Sequence, residues 1–135
     1  MAAVPTYLLD SSACIPILRN KAGLGKLPAP AKTGIPVIVA AELWTGVKKN
    51  MASHPQQAAK LQAFLDLFQI PDFDINAALH YAEIRAALET SGKSIGPLDL
   101  LIAAQARSLG ATLVTGNAVE FKRVKGLKVQ EWHPA

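Results

Sequence analysis

The sequence lacks the features that define several classes of protein. It contains one cysteine, Cys14, among 135 residues, which excludes an intramolecular disulfide and a cysteine-rich zinc site. No uninterrupted apolar run approaches the ~20 residues of a membrane-spanning helix. The N-terminal run has no basic segment and is broken by Asp10, unlike a secretory signal. Neither G-x-x-x-x-G-K-S/T nor G-x-G-x-x-G occurs, so there is no glycine-rich phosphate loop. These absences predict a protein of the reducing cytoplasm without a membrane anchor.

Acidic residues are also scarce, and they are unevenly distributed. The chain has 10 Asp+Glu against 14 Lys+Arg, a net charge of +4, although only 18% of its residues are charged. No acid lies between Asp10 and Glu42, where four basic residues fall, and a second basic cluster lies near the C-terminus. This asymmetry suggests a polyanionic partner such as nucleic acid, although a solvated basic surface explains it equally well. The candidates for contact with nucleic acid are Arg19, Lys21, Lys122 and Arg123.

The hydrophobic pattern predicts one domain over residues 1–135. Half of the residues are hydrophobic, enough to bury a core. Helix ends are indicated by Ser11 or Ser12 as a first N-cap, by Asp74 as a later one, and by Pro97 and Gly110 at the two ends of another helix. Short β-rich runs alternate with these helical segments, and the predicted strands are 6–9, 35–39, 70–73, 112–115 and 127–132. Such alternation predicts an α/β fold, a three-layer α/β/α sandwich with a mostly parallel central sheet.

Several acids are predicted to fall at one edge of that sheet. The carboxyl ends of parallel strands and the first turns of neighbouring helices meet at one edge, where ligands bind. Asp10 follows the first strand, and Glu42 is expected in the first turn of the helix after the second. Asp99 lies in the first turn of the helix that precedes the fourth strand, and Asn117 and Glu120 follow that strand. Each acid taken singly could be a helix cap, a first-turn acid or a surface residue.

Taken together, these acids indicate a metal site. Carboxylates brought close repel one another and raise one another's pKa unless a cation neutralises them. Oxygen ligands without His or Cys suit Mg²⁺ or Mn²⁺. A divalent cation held by carboxylates in a basic protein suggests phosphodiester hydrolysis, because the metal polarises the phosphoryl oxygen and helps to deprotonate water. The three histidines are scattered, so no His–carboxylate relay is visible.

The segments YLLDSSACI, AAELWTGVKK and GPLDLLIAAQA, the last followed by LVTGNAVEFKRVKGLKV, resemble the PIN-domain ribonucleases and, more closely, the VapC toxins of bacterial VapBC toxin–antitoxin modules. The resemblance runs from Tyr7 to Trp132 and implies the PIN-like form of the predicted sandwich. The residues that match the family's metal ligands are Asp10, Glu42 and Asp99. The resemblance makes Glu120 the fourth catalytic acid, with Asn117 as the alternative at that position.

The surroundings of the acids match the family less closely. Thr115 matches a hydroxyl that commonly lines the site, and Ser11 keeps the hydroxyl of the family's D-T-N start. Ser12 replaces the Asn of that start. This departure affects the support of the ligands rather than the ligands themselves.

The resemblance implies endonucleolytic cleavage of single-stranded RNA with Mg²⁺ or Mn²⁺, in a structured RNA such as a tRNA. Water would be the nucleophile, leaving 5′-phosphate and 3′-hydroxyl ends. It also implies a homodimer and a larger complex with a VapB antitoxin, whose C-terminal tail would block the acidic site. A candidate docking surface surrounds four apolar residues that could equally belong to the core: Ile15, Leu18, Leu43 and Val47.

Two alternatives remain open at this stage. The first is a catalytically silent PIN module that binds RNA or acts as a scaffold for a partner. The second is an aspartyl-phosphate phosphatase, since a strand that ends in Asp also begins that chemistry. Such enzymes usually need another acid two residues after the first, and Ser12 stands there instead.

Overall fold

The computed structural model describes residues 3–134, in which short strands alternate with helices. The strands described in that range are β1 (Tyr7–Leu9), β2 (Thr33–Gly34), β3 (Thr112–Thr115) and β4 (Lys128–Glu131). The α-helices described there are α1 (Ser11–Leu18), α2 (Val37–Lys49), α3 (Gln57–Leu65), α4 (Ile75–Ser91), α5 (Pro97–Leu109) and α6 (Ala118–Phe121).

The described strands form one parallel sheet in the order β2-β1-β3-β4. Leu8 of β1 pairs with Gly34 on one side and with Leu113 on the other, and Leu113 pairs with Val129 of β4. Helices flank this sheet, so the predicted α/β sandwich with a parallel sheet is confirmed. Because the strands are parallel, β1 and β3 end at the same edge, and the chain enters α1 and α6 from there.

A single cluster of buried apolar side chains joins the sheet to its helices. Leu8 and Leu113 in the sheet, Ile102 in α5 and Phe121 in α6 are fully buried within it. Among residues 3–134, no helix combines the length and the apolar character needed to cross a membrane.

The helix ends depend on side chains and glycines that the sequence indicates. Asp74 caps α4 by accepting a hydrogen bond of 3.0 Å from the Ala77 N–H. Gly92 and Gly110 end α4 and α5 with φ of 68° and 67°, a left-handed conformation that favours glycine. The prediction for α1 is wrong, because neither serine is its cap. Asp10 caps that helix, and its Oδ1 accepts from the Ala13 N–H at 3.2 Å.

The predicted second strand, 35–39, is also wrong. The strand ends at Gly34, and α2 begins at Val37 with Pro36 as its N-cap. Pro36 has no N–H for a sheet, so the β-branched run that follows it becomes the first helical turn instead. As a consequence, Glu42 lies in the second turn of α2 and not in the first.

The predicted strand 70–73 is absent from the described sheet. Only Gln69 reaches that sheet, through an isolated bridge to Gly34. Pro71 cannot donate to a strand, and its carbonyl accepts a hydrogen bond of 2.6 Å from Gln105 Nε2. Gln105 Nε2 also lies 3.2 Å from the Asp72 carbonyl. The buried Gln105 side chain of α5 therefore makes the hydrogen bonds to this segment that a neighbouring strand would otherwise make.

Candidate active site

The acids selected from the sequence lie at the carboxyl edge of the sheet, on four different elements. Asp10 follows β1 directly, and Glu42 reaches the edge from α2. Asp99 occupies the first turn of α5, and Glu120 lies in α6, just after β3. The negative charges of Asp99 and Asp10 raise the pKa of Glu42, and those of Glu120 and Asp10 raise the pKa of Asp99. We call this series the row of acids, with Asp10 and Asp99 in the middle and the two glutamates at either end.

Asp10 is the most buried of these acids, with 4% of its surface exposed. Its Oδ1 accepts a hydrogen bond of 2.5 Å from the Ser12 hydroxyl, and its Oδ2 accepts one from the Thr115 hydroxyl. Burial raises the pKa of Asp10, while these hydrogen bonds and those from the backbone lower it. The two hydroxyls therefore favour the charged form of Asp10, against the larger effect of burial.

Asp99 and Glu120 face each other across the site. Burial, the negative charges of Glu120 and Asp10, and a hydrogen bond to Glu120 raise the pKa of Asp99 to about 6. The side chain of Asn117 donates from Nδ2 to Glu120 Oε2 at 2.5 Å. Asn117 thus holds the carboxylate of Glu120 in place, while Glu120 is the side chain that faces Asp99.

Glu42 closes the other end of the row. Burial raises its pKa, and the negative charges of Asp99 and Asp10 raise it further. Its Oε1 atom is buried and accepts no hydrogen bond from any residue in the described part of the chain. A buried carboxylate oxygen without a partner is costly, and a cation is one way to supply the partner.

The donor set suits a hard divalent cation. All four side chains offer carboxylate oxygens, three of them have a raised pKa, and Glu42 has an unpartnered oxygen. As the side chains stand, no three His, Cys, Asp or Glu residues within 3–134 are grouped closely enough to hold an ion. The carboxylates would therefore have to move toward one another to share a cation.

The supporting hydroxyls differ in part from the sequence-based expectation. Thr115 contacts Asp10 and also accepts the Asn117 N–H at 2.9 Å. Ser11 makes no side-chain hydrogen bond with residues 3–134, whereas Ser12 bonds both Asp10 and the Gly116 N–H. The sequence comparison with D-T-N assigned the hydroxyl to Ser11. The i, i+2 spacing from an N-cap Asp is the sequence signal that could have identified Ser12.

The four basic candidates are exposed and flank opposite ends of the row of acids. Arg19 and Lys21 lie at the end of α1, and Arg19 shares a surface groove with Glu42. Lys122 and Arg123 follow α6, and Arg123 donates from Nη1 to the Ser94 carbonyl at 3.2 Å, in the loop that leads to α5. None of the four forms an ion pair with a residue in 3–134. Their charges are therefore free to meet an anionic ligand.

Comparison with known proteins gives the family. The family profile described as PIN domain matches residues 7–127. A protein of Rickettsia felis named Ribonuclease VapC2 is 37% identical over 131 residues, covering 93% of this chain and 97% of the relative. The chain belongs to the VapC family of PIN-domain proteins. Another VapC relative, the tRNA(fMet)-specific endonuclease VapC of Salmonella typhimurium, is 33% identical over 129 residues, with coverage of 93% and 97%.

Solved VapC-family structures have the same fold as this chain. The DNA-bound VapBC of Salmonella typhimurium aligns with a TM-score of 0.88 and 31% identity, covering 96% of this chain and 99% of that one. VapBC2 of Rickettsia felis, bound to a promoter DNA fragment, aligns with a TM-score of 0.83 and 36% identity, with coverage of 94% and 98%. Both alignments span nearly the full length of each chain.

Proposed function

We propose that this chain is the toxin of a toxin–antitoxin pair and acts as a metal-dependent endoribonuclease, inhibited by a VapB-type antitoxin. One observation carries this proposal: carboxylates remote in sequence lie at one sheet edge and raise one another's pKa, between exposed basic side chains that form no ion pair within residues 3–134. A phosphodiester backbone needs both features, cations to hold it and a concentrated set of carboxylates to bind the catalytic metal. The names of the VapC relatives support RNA as the substrate.

Mg²⁺ or Mn²⁺ fits the chemistry of this donor set. Asp10, Asp99 and Glu42 would hold the ion, and Glu42 Oε1 would gain the partner that it lacks among residues 3–134. When bound, the cation supplies Lewis-acid polarisation of a phosphoryl oxygen and favours the ionised form of a nearby water.

The side chains around the proposed metal ligands have their own tasks. Ser12 and Thr115 donate to Asp10, which favours its carboxylate form and fixes its orientation. Asn117 donates to Glu120 Oε2 and fixes the orientation of that carboxylate, which would accept a proton from the attacking water. Attack by that water on phosphorus, with departure of the 3′ oxygen, gives 5′-phosphate and 3′-hydroxyl ends.

The RNA backbone would lie across the row of acids. Arg19 and Lys21 would hold phosphates at the Glu42 end, and Lys122 and Arg123 would hold them at the Asp99 end. Single-stranded RNA bends more easily into such a site than a duplex does, so a loop of a structured RNA such as a tRNA suits it. Because such substrates are cytoplasmic, the proposed activity belongs in the cytoplasm.

The antitoxin would dock on the groove between α1, α2 and α3. Four apolar residues line it together: half-buried Ile15 and Leu18, and the more deeply buried Leu43 and Val47. The groove also reaches Glu42, so a bound segment could extend into the acidic site. The structural relatives named VapBC support a VapB-type partner. We further propose that the active form is a homodimer that assembles with the antitoxin into a larger complex.

Cleavage of defined RNA tests the proposal. Purified protein with Mg²⁺ or Mn²⁺ should cut tRNA, either bulk tRNA or initiator tRNA, at single-stranded positions, and EDTA should stop the reaction. Asp99→Asn should retain RNA binding and lose cleavage. If the Asp99→Asn protein cut at the wild-type rate, the proposal would be wrong. RNA binding without cleavage by the wild type would instead favour the silent RNA-binding module.

A further inference from the structure

Ser12 connects two parts of the site that are far apart in sequence. Its hydroxyl donates to Asp10 Oδ1 at 2.5 Å and accepts the Gly116 N–H at 2.8 Å, across 104 positions of sequence. Asp10 follows β1 directly, whereas Gly116 begins the turn that leads to Asn117 and Glu120. The Ser12 side chain is therefore a direct bridge between Asp10 and the turn that carries the fourth acid.

A second hydroxyl makes a matching connection. Thr115 accepts the Asn117 N–H at 2.9 Å and donates to Asp10 Oδ2. Each hydroxyl has one hydrogen, and both hydrogens are used on Asp10. The backbone N–H groups of Gly116 and Asn117 are thus connected, through the hydroxyls of Ser12 and Thr115, to the two oxygens of the Asp10 carboxylate. Hydrogen bonds in such chains polarise and strengthen one another.

The Gly116 turn lies directly against the Ser12 side chain. A Cβ atom at residue 116 would lie 3.4 Å from Ser12 Oγ and 3.4 Å from the Trp132 carbonyl, at the limit of ordinary van der Waals contact. Ser12 occupies the second position of α1, and Asp10 is the N-cap of the same helix. The start of α1 thus fixes the distance between the hydroxyl and the carboxylate.

We propose that Ser12 is a positioning residue, whose hydroxyl holds the Asp10 carboxylate and the Gly116 turn in register. This inference rests on the proposed function, because the position of Asp10 matters through the metal that it would bind. Ser12 and the Ala13 N–H both donate to Asp10 Oδ1, and Thr115 donates to Oδ2, but of the two donors to Oδ1 only the Ser12 side chain also bonds the Gly116 turn. In the proposed mechanism it would act through Asp10 and the turn, and not on the RNA itself.

The first test measures metal affinity and the kinetic constants of Ser12→Ala. Calorimetric titration of Mn²⁺ into metal-free protein should show an affinity lower by about tenfold or more, the usual effect of removing support from a metal ligand. The kcat for RNA cleavage should fall to a similar extent, with KM for RNA nearly unchanged. Ser12→Thr keeps the hydroxyl and should restore most of both losses. Ser11→Ala is the matched control and should behave as wild type.

The second test needs neither metal nor RNA. Amide hydrogen exchange measured by NMR should show a protected Gly116 N–H in the wild type and in Ser11→Ala, and faster exchange in Ser12→Ala. Should Ser12→Ala fold poorly, Ser12→Cys serves instead, since the thiol keeps the size but is a weak hydrogen-bond partner.

The outcomes separate this inference from the proposed function. If the wild type cuts RNA and Ser12→Ala matches it in Mn²⁺ affinity, kcat and Gly116 exchange, Ser12 has no positioning role and the proposed function stands. If the wild type neither binds Mn²⁺ nor cuts RNA, the proposed function fails. Gly116 exchange then decides by itself whether Ser12 holds the two segments together.

Discussion

The carboxylate of Glu120, in α6 beyond β3, lies close enough to Asp99, in the first turn of α5, to raise the pKa of Asp99. Burial contributes most to this pKa of about 6, followed by the negative charges of Glu120 and Asp10. Two acids in such a position share a proton readily and repel each other once both are ionised. The folded chain therefore carries a local electrostatic cost at neutral pH.

That cost predicts how stability depends on pH without metal. The pKa of Asp99 in the folded chain lies above its ordinary value of 3.8, so the unfolded chain releases this proton first as pH rises. The wild type should lose stability relative to Asp99→Asn between about pH 4 and pH 6, with a constant difference at higher pH. Urea unfolding in EDTA at pH 4, 5, 6 and 7 measures the free energy of unfolding of the wild type and of Asp99→Asn. The same change at exposed Asp72 is the control, and equal pH slopes for both variants would contradict the prediction.

Divalent metal should reverse this cost at neutral pH. A cation that binds the folded state alone raises its stability by mass action. Mn²⁺ should therefore raise the Tm at pH 7, and by less at pH 5, where Asp99 is largely protonated. EDTA should return the Tm to its starting value. A shift of equal size at both pH values, or none at pH 7, would argue against carboxylate ligands.

Asp10→Asn separates the metal-binding role of Asp10 from its structural role. Asn is about as good an N-cap as Asp, so α1 should keep its start, whereas Asp10→Ala should cost about 1 kcal/mol through loss of the cap. In EDTA, Asp10→Asn should stay within about 1 kcal/mol of the wild type, because removal of a buried charge offsets the loss of one acceptor for the Ser12 and Thr115 hydroxyls. It should nevertheless lose the Mn²⁺-dependent rise in Tm. Urea unfolding with and without Mn²⁺ tests both halves of this prediction.

The basic residues beside α6 should show their role in the salt dependence of RNA binding. In the Asp99→Asn background, the pair Lys122→Gln and Arg123→Gln should weaken binding to a single-stranded RNA. The slope of log K against log salt should fall by about 0.7 for each phosphate that these side chains no longer neutralise. The pair Lys48→Gln and Lys49→Gln, exposed at the end of α2, is the control with equal loss of charge. Equal effects of the two pairs would indicate general attraction only.

The edge strand β2 has no room for a side chain at Gly34. A Cβ there would lie 3.0 Å from Leu8 Cδ2 and 3.3 Å from both the Gln69 carbonyl and Pro5 Cγ. Gly34→Ala should therefore destabilise the fold by about 1–3 kcal/mol, as overpacking typically does. Gly46→Ala, where a Cβ meets nothing within 4 Å, is the control and should not destabilise. Urea unfolding of both variants tests this difference.

The sequence predicted the helices whose ends are marked by local chemistry. Asp74, Pro97 and Gly110 act within one turn of backbone, so their effect can be identified without knowledge of the fold. The strands next to prolines were predicted wrongly, at 35–39 and 70–73. Both runs contain β-branched residues, and each contains a proline, Pro36 or Pro71, whose missing N–H argues against a strand.

How well the position of each acid could be predicted depended on whether the neighbouring helix or strand was predicted correctly. Asp10 and Asp99 adjoin elements that were assigned correctly, so their place at the sheet edge could be worked out. Glu42 lies one turn deeper in α2 than expected because that helix starts earlier. The bond from Gly116 to Ser12 joins residues 104 positions apart, and no local pattern contains that information.

The order of the strands has a consequence during synthesis of the chain. β1 leaves the ribosome early, but its sheet neighbour β3 and the turn with Gly116 follow about a hundred residues later. Until that turn emerges, Asp10 lacks both Thr115 and the Gly116 bridge, and Glu120 has not been made. A nascent chain therefore carries no assembled site for most of its translation. A chain truncated before the turn would lack it permanently.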